Sequence, residues 1–190
     1  MHYFREAVRR LWLPLLFFAF LWAIPVLANE VIQAPVYKEG DFWVYSVKEW
    51  DFITRNSNPL DGEYEFIYRG EKFEIFSREG DQKVPLAPGT READILGALF
   101  GGVNKLKFPF SKDKLEDKTV GARNFRALKI ENTVLSRGVA LDIIRFYSQE
   151  CKCFVYHLMD SSRRTGTGGK RSVELLNYGN ASQDFSTKTP

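Results

Sequence analysis

Histidine and cysteine are scarce in this 190-residue chain, which has two of each. Cys151 and Cys153 are the two cysteines, and His157 is the one histidine beyond position 2. A structural zinc site usually takes four such ligands, and acid–base catalysis near neutral pH depends mainly on histidine. The composition therefore predicts a protein with no catalytic residues, no metal and no cofactor, that is, not an enzyme.

Familiar phosphate-binding and hydrolase motifs are also missing. The segment Gly166–Arg171 looks like a phosphate loop, but Arg164 stands where the first glycine belongs and Arg171 where a hydroxyl is needed. No Gly-x-Ser-x-Gly elbow is found. We interpret the segment as a flexible hairpin loop with two alternatives for its cations: they are solvated, or they meet an anionic surface such as lipid headgroups. These cations are Arg163, Arg164, Lys170 and Arg171.

Beyond the first ten residues, positive and negative charges nearly balance. The chain has 27 Lys and Arg against 24 Asp and Glu, a net charge of +3. Arg5, Arg9 and Arg10, offset by Glu6, supply two of those three positive charges. Nucleic-acid binding usually needs a concentrated basic face. The nearly neutral remainder predicts no nucleic-acid partner.

The N-terminus has the pattern of an export signal. A basic start leads into an apolar run over Leu11–Leu27, and small residues precede Asn29 at Val26 and Ala28. This pattern predicts that residues 1–28 are a bacterial-type signal peptide cleaved between Ala28 and Asn29, which makes the protein periplasmic or otherwise exported. The alternative is an uncleaved anchor, because an apolar run of this length is close to the minimum that spans a ~30 Å hydrocarbon layer.

The remaining residues read as one β domain, 29–179, followed by a disordered polar tail, 180–190. Short runs of aromatic and β-branched residues alternate with turn residues from Val36 onward, which is typical of strands. We predict a mainly β fold, a curved antiparallel sheet or half-barrel of about eight to nine strands. One short helix is expected near 91–100, ended by Gly101 and Gly102.

A β-hairpin is predicted where apolar and charged residues alternate. Tyr64, Phe66 and Tyr68 share one face, and the acidic Glu63 and Glu65 share the other, which we expect to face water.

The later strands differ, because they are apolar on both faces. Ile143 and Tyr147 lie on one face and Ile144 and Phe146 on the other. A strand open to water on one side would alternate, so both faces should be covered. A thick packed core or an apolar ligand cavity would each explain this pattern. The candidate cavity residues are Tyr64, Phe66, Ile143 and Phe154.

The two cysteines are candidates for a disulfide. On one extended strand the Cα atoms of residues i and i+2 lie ~6.5–7 Å apart, at or beyond the usual limit for a bridge. A bond between Cys151 and Cys153 would need a turn or bulge, which Ser148–Glu150 could supply. A redox pair, free thiols and an intermolecular bond remain alternatives. His157 shares the strand face of Cys153. We interpret it as an ordinary sheet histidine and not as a metal ligand.

Three stretches resemble exported bacterial β-sheet proteins of uncharacterised function. They are Gly40–Tyr45, which reads Gly-Asp-x-Trp-x-Tyr, then Phe108–Phe110 and Thr119–Glu131. The resemblance implies a curved sheet similar in outline to the half-barrels of periplasmic lipoprotein carriers, which hold acyl chains. The chain departs from the group at Lys114-Leu115, where an aromatic residue is common, and at Cys151–Cys153, where glycine is usual.

These observations give two functional hypotheses. The first is an exported, non-enzymatic β protein that binds a lipid or another hydrophobic ligand. The second is a structural or assembly module of the cell envelope that acts through protein–protein contacts at an exposed strand edge.

Overall fold

The computed structural model describes residues 31–50, 60–136, 139–161 and 168–181. The chain divides into two compact units, Met1–Glu30 and Val31–Pro190, and the described residues all belong to the second. The predicted signal peptide and its cleavage site at Ala28 and Asn29 lie outside the described residues, as does the tail from 182 onward. Within the described ranges no helix has both the length and the apolarity needed to span a membrane.

The described residues form eleven strands and one α-helix, and each strand pair is antiparallel. The strands are β1 (Val31–Ile32), β2 (Asp41–Trp50), β3 (Gly62–Arg69), β4 (Lys72–Glu79), β5 (Gln82–Pro85), β6 (Phe110–Ser111), β7 (Leu115–Val120), β8 (Arg123–Ser136), β9 (Val139–Ser148), β10 (Cys153–Asp160) and β11 (Lys170–Asn180). The helix is α1 (Arg91–Asn104), and a 3₁₀ turn covers Lys112–Lys114.

Nine strands form one sheet in the order β5-β4-β3-β2-β11-β10-β9-β8-β7, and β1 pairs with β6 separately. The chain runs outward from β2 to β5, passes through α1, and returns from β7 to β11, which pairs with β2. The sheet does not close, and α1 packs against both β4 and β10. The predicted curved antiparallel sheet with one short helix is therefore confirmed.

The helix α1 is longer than the sequence predicts. Thr90 caps its N-terminus, because its Oγ1 accepts a hydrogen bond from the backbone N–H of Ala93 at 3.2 Å. The predicted stop at Gly101 and Gly102 is wrong, since the helix continues to Asn104. Val103 is fully buried. Packing of this last turn against the sheet overrides the weak helix propensity of glycine.

The core has two clusters, and together they cover both faces of the later strands. Tyr147 belongs to the smaller cluster, with Ile32, Val103, Leu128 and Phe154, whereas its neighbour Phe146 belongs to the larger one. Since successive side chains of a strand point to opposite faces, both faces of β9 are covered at Phe146 and Tyr147. The larger cluster also contains Trp43, Tyr45, Val47, Leu60, Tyr64, Phe66, Leu96, Val120, Phe125, Ala127, Cys151, Cys153, Val155, Val173 and Leu175.

The outer face of β3 differs from its prediction at Glu65. This residue is buried, although the alternation predicted that it faces water. Its carboxylate accepts a hydrogen bond from Lys83 Nζ at 2.7 Å and lies 3.8 Å from Arg78 Nε. Its neighbours Val44 and Ile67 are buried too. Cations from β4 and β5 that fold over the outer face let this acidic residue lie inside the protein.

The first long strand is fastened to the turn between β9 and β10. Asp41 Oδ2 accepts hydrogen bonds from Lys152 Nζ at 2.9 Å and from the backbone N–H of Lys38 at 2.8 Å. Its Oδ1 accepts one from Asn180 Nδ2 at 2.7 Å. Two residues on, Trp43 Nε1 donates to the carbonyl of Cys151 at 2.7 Å. These contacts explain why Asp and Trp occur two residues apart in the Gly-Asp-x-Trp-x-Tyr strand.

Replacing Gly97 and Gly102 by alanine should have opposite effects on stability. Alanine favours a helix over glycine by about 1 kcal/mol. A Cβ at Gly97 meets nothing within 4 Å, but one at Gly102 would lie 2.9 Å from Arg145 Nη1 and 3.2 Å from Phe154 Cε2. Gly97→Ala should raise the free energy of unfolding by about 0.5–1 kcal/mol, and Gly102→Ala should lower it by about 1 kcal/mol. Urea unfolding measures both, and equal gains would contradict the packing described for α1.

Asp41→Asn should destabilise the protein by about 1–3 kcal/mol at neutral pH. Burial alone would raise the pKa of Asp41, but the hydrogen bonds from Lys152, Asn180 and Lys38 lower it overall. A carboxyl group whose pKa falls on folding stabilises above its unfolded pKa, and this contribution is lost as pH falls below about 3.8. The stability difference between parent and variant should therefore shrink in acid. As the control, exposed Asp117→Asn should change stability by less than about 0.5 kcal/mol.

Candidate functional site

A groove of about 740 Å³ lies between β4, the segment that follows β5 and the first turn of α1. Its apolar lining consists of Phe73, Ile75, Phe76, Pro85, Leu86, Pro88 and Ala93. Charged residues also contribute, namely Arg69, Lys72, Glu74 and Asp94. Small-molecule sites are typically apolar concavities of about 300–1,000 Å³ with a few polar groups. The groove has the size and the character of such a site.

The groove forms because the chain leaves the sheet partway along β4. The strand β5 pairs with Phe76–Glu79 only, and the backbone N–H of Leu86 adds one hydrogen bond to the carbonyl of Ile75 at 2.9 Å. Beyond that point the chain turns at Gly89, where φ is +80°, and enters α1. The hydroxyl of Thr90 donates to the carbonyl of Ala87 at 2.9 Å, which fixes the turn. The groove wall is therefore held by hydrogen bonds before any ligand binds.

The groove lining has equal numbers of cationic and anionic residues. Arg69 and Glu74 form an ion pair at 3.3 Å in which both side chains are about half exposed. The apolar side chains Phe73, Ile75 and Leu86 pack against the larger core cluster, which fixes their positions. This arrangement suits an apolar chain that lies inside the groove while its polar end remains near the charged residues.

The structure does not bring the four predicted cavity residues together around one space. Tyr64 and Phe66 are buried in the larger core cluster, and Phe154 is buried in the smaller one. Ile143 lines a separate depression on β8 and β9. None of the four lines the groove. Tyr64, Phe66 and Phe154 are thus packed core residues, whereas Ile143 is not part of either core cluster.

The sequence analysis did not identify the groove because its wall falls in residues 84–90, where two prolines and Gly89 indicate only a loop. Pro85 and Pro88 were the available signal there, since they prevent the chain from continuing as a regular strand. The apolar Leu86 between them shows that this loop packs against something, but a single residue does not identify its partner.

Cys151 and Cys153 form a disulfide in the turn that joins β9 to β10. Their Cα atoms lie 5.3 Å apart, closer than two such residues on one strand, because Cys151 and Lys152 belong to the turn. Lys152 has φ of +58°, and both cysteines are buried. The disulfide is buried beside the hydrogen bond from Trp43, and these are the surroundings of a structural crosslink.

The predicted basic loop is only partly described, because Arg163 and Arg164 lie outside the described residues. Lys170 Nζ lies 5.7 Å from the ring centroid of Trp50. Arg171 is largely buried and pairs with Glu49, which also lies 3.5 Å from Arg91. Arg171 is therefore part of the protein interior and not of an exposed basic surface.

His157 lies on β10, opposite Arg145 of β9 and Val173 of β11. Burial lowers its pKa to about 4, and the positive charges of Arg145 and Arg171 add to this effect. Among the described residues no group of three or more His, Cys, Asp and Glu could hold a metal ion. Since Cys153 is bonded to Cys151, a thiolate ligand beside His157 is not present in this structure.

Comparisons with known proteins give no relatives. No family model matches the chain, and no curated protein or solved structure gives a significant match. The resemblance to exported β-sheet proteins, noted from the Gly-Asp-x-Trp-x-Tyr strand, therefore stays a prediction.

His157 should make the folded protein less stable in mild acid. A histidine whose pKa is lowered from 6.5 to about 4 on folding binds a proton more readily in the unfolded chain. Stability should therefore fall as pH drops from about 6.5 toward 4, by up to ~3 kcal/mol.

Urea unfolding of His157→Gln should show a flatter pH dependence over this range than the parent. The control Asn177→Gln changes an exposed residue that does not titrate, and it should keep the parent's dependence. A parent protein whose unfolding free energy is constant between these pH values would contradict the prediction.

Proposed function

We propose that this is an exported, non-enzymatic protein that binds a lipid or another hydrophobic ligand in the groove beside β4. The observation that carries the proposal is the apolar lining of this groove, in which Phe73, Ile75 and Leu86 are held by the core behind them. Export is supported by the basic start and apolar run of residues 1–28.

The lining favours an apolar chain for energetic reasons. Transfer of one CH₂ group from water to an apolar site stabilises a complex by ~0.8 kcal/mol, so a chain of several carbons gains enough to bind. Arg69 and Lys72 lie in the same lining and are positioned to meet a polar or anionic end of the ligand. A ligand with one acyl chain and a polar head combines both requirements.

The alternative, an envelope assembly module that pairs through a strand edge, has weaker support. The edge strand β5 has four residues and ends at Pro85. The other edge strand, β7, carries Glu116, Asp117 and Lys118 in succession. Short edges, proline and charged side chains are features that discourage pairing with another chain. Ligand binding in the groove is therefore the function that the described residues support better.

Native mass spectrometry of protein purified from its own cell envelope tests the proposal directly. We expect a co-purifying species with the mass of a lipid that is released when the protein unfolds. Protein recovered only in the empty form, and equally unable to take up added lipid, would contradict the proposal.

Filling the groove should block binding of an uncharged apolar probe. Ala93 lines the groove, so Ala93→Phe places a ring where the apolar chain would lie. We expect its affinity for N-phenyl-1-naphthylamine, followed by fluorescence, to fall about tenfold or more.

The matched control is Ala98→Phe, which adds the same ring at an exposed position of the same helix, outside the groove lining. Its affinity should stay within about twofold of the parent. Equal losses in the two variants would show that the probe reports on helix stability and not on the groove.

A further inference from the structure

The hairpin of β8 and β9 extends beyond the strands on either side of it. The strand β7 pairs with β8 only as far as Leu128, and β10 pairs with β9 only as far as Asp142. Three further residue pairs continue the hairpin past Asp142. At ~3.3 Å per residue, these pairs project ~10 Å from the end of the sheet. We call residues 134–136 and 139–141 the hairpin tip.

The hairpin tip is apolar on both of its faces. Val134 lies opposite Leu141 and shares one face with it. Leu135 lies opposite Ala140 on the other face. Leu135 is 78% exposed and Val134 is 41% exposed, whereas Ala140 and Leu141 are half-buried. Exposed apolar side chains that lie together mark a surface that contacts a partner or a membrane.

An exposed aromatic residue and a cation lie at the same end of the sheet as the hairpin tip. Trp50 lies opposite Lys170, and Lys170 lies opposite Asp160. Asp160 lies opposite Asp142, which lies opposite Thr133 at the base of the tip. Trp50 is 45% exposed, and Lys170 Nζ lies 5.7 Å from the centroid of its ring. Tryptophan and basic residues are enriched where proteins meet the membrane–water interface.

The sequence that connects the strands at this end is basic. Residues 137–138 join β8 to β9 and residues 161–169 join β10 to β11, and neither segment contains an acidic residue. Of the two acids in the row of strands, Asp160 is buried and Asp142 accepts a hydrogen bond from Thr133 at 2.7 Å. A surface of this charge is attracted to anionic lipid headgroups. The arginines of the two segments are Arg137, Arg163 and Arg164.

A lipid layer covers the hairpin tip more completely than a paired strand would. A strand added along the edge of β8 would leave the side chains of both faces in water, because they point away from the edge. A lipid interface surrounds both faces at once. The projection of ~10 Å agrees with the ~5–10 Å to which interfacial segments enter the boundary between headgroups and acyl chains. Deeper insertion is unfavourable, because in the described ranges the edges of the tip face no further strand and hydrocarbon cannot hydrogen-bond them.

We propose that the hairpin tip inserts into the surface of a lipid bilayer that contains anionic lipids, with Trp50 and Lys170 at the level of the headgroups. Val134 and Leu135 supply the exposed apolar side chains that enter the bilayer. No residue of the groove lining takes part, so the inference goes beyond the proposed function and does not rest on it.

A fluorescent label on the tip reports insertion directly. In Leu135→Cys a nitrobenzoxadiazole label takes the place of the exposed leucine, while Cys151 and Cys153 remain bonded to each other. With vesicles of phosphatidylethanolamine and phosphatidylglycerol, the emission should shift to shorter wavelength. Lipids that carry a nitroxide high on the acyl chain should quench it.

The matched control is Ala122→Cys with the same label. Ala122 is exposed and lies in the turn before β8, at the opposite end of that strand from Leu135. Its emission should not change with vesicles. An unchanged emission at position 135, or equal changes at both positions, would overturn the inference.

Leu135→Asp tests whether apolar contact drives binding to the vesicles. A carboxylate in the tip should raise the lipid concentration needed for half-maximal binding about tenfold or more. Ala122→Asp adds the same charge at the other end of β8 and should stay within about twofold of the parent. The apolar run of residues 11–27 is common to all three proteins, so it cannot produce a difference among them. Equal binding of all three would overturn the inference.

The lipid composition tests the role of charge. Vesicles of phosphatidylcholine alone lack the negative charge that Lys170 would meet, so they should bind the protein about fivefold or more weakly. Equal binding to both kinds of vesicle would overturn the assignment to anionic lipids.

Two further measurements separate this proposal from its alternatives. If a second copy of the chain covers the tip, the emission of the label at position 135 should depend on protein concentration without lipid, and Leu135→Asp should convert a dimer into a monomer by light scattering. That result would overturn the inference. Ala93→Phe fills the groove and should leave the response of the label to vesicles unchanged, so failure of one proposal leaves the other standing.

Discussion

The link between β2 and the turn of residues 149–152 is the constraint on which the rest of the fold depends. In the sheet order, β11 stands between β2 and β10, yet Asp41 and Trp43 hydrogen-bond directly to Lys152 and Cys151. Neighbouring strands lie ~4.8 Å apart, so these bonds bring together elements that a flat sheet would keep separate. The disulfide between Cys151 and Cys153 fixes the shape of the turn that receives them. The two halves of the sheet are thereby joined by the backbone pairing of β2 with β11 and by these side-chain hydrogen bonds.

Packing on the inner face of the sheet differs from one end of α1 to the other. Near β2 the inner face is filled by large aromatic residues, among them Trp43, Tyr45 and Phe66, and α1 packs across it from β4 to β10. Two regions at the ends of the helix are different. At its first turn the chain has left the sheet, which gives the apolar groove. At its last turn Gly102 lies close to Arg145 and Phe154, so no space remains there. One helix therefore borders a groove at its first turn and a closely packed part of the sheet at its last turn.

The sequence was sufficient to predict the sheet but not the sites. Period-two alternation through Tyr64 and Phe66 is a local property, and it correctly predicted a hairpin. The end of α1 and the burial of Glu65 depend on residues distant in sequence, so local propensity failed at both. The groove depends on how far β5 pairs with β4. The position of His157 beside Arg145 depends on the register of β9, β10 and β11. Residue spacing alone reveals neither the pairing length nor the register.

Glu65 and Arg145 show two different surroundings in which this fold holds a charged residue. Both are charged residues away from bulk water, and burying a charge without a partner is costly. On the outer face Glu65 has two cations as partners, Lys83 and Arg78, which balance its buried charge. On the inner face Arg145 has one amide oxygen and a ring, and His157 has no hydrogen-bond partner among the described residues. Burial, with the positive charges of Arg145 and Arg171 nearby, therefore lowers the pKa of His157 to about 4, so its ring is neutral at neutral pH.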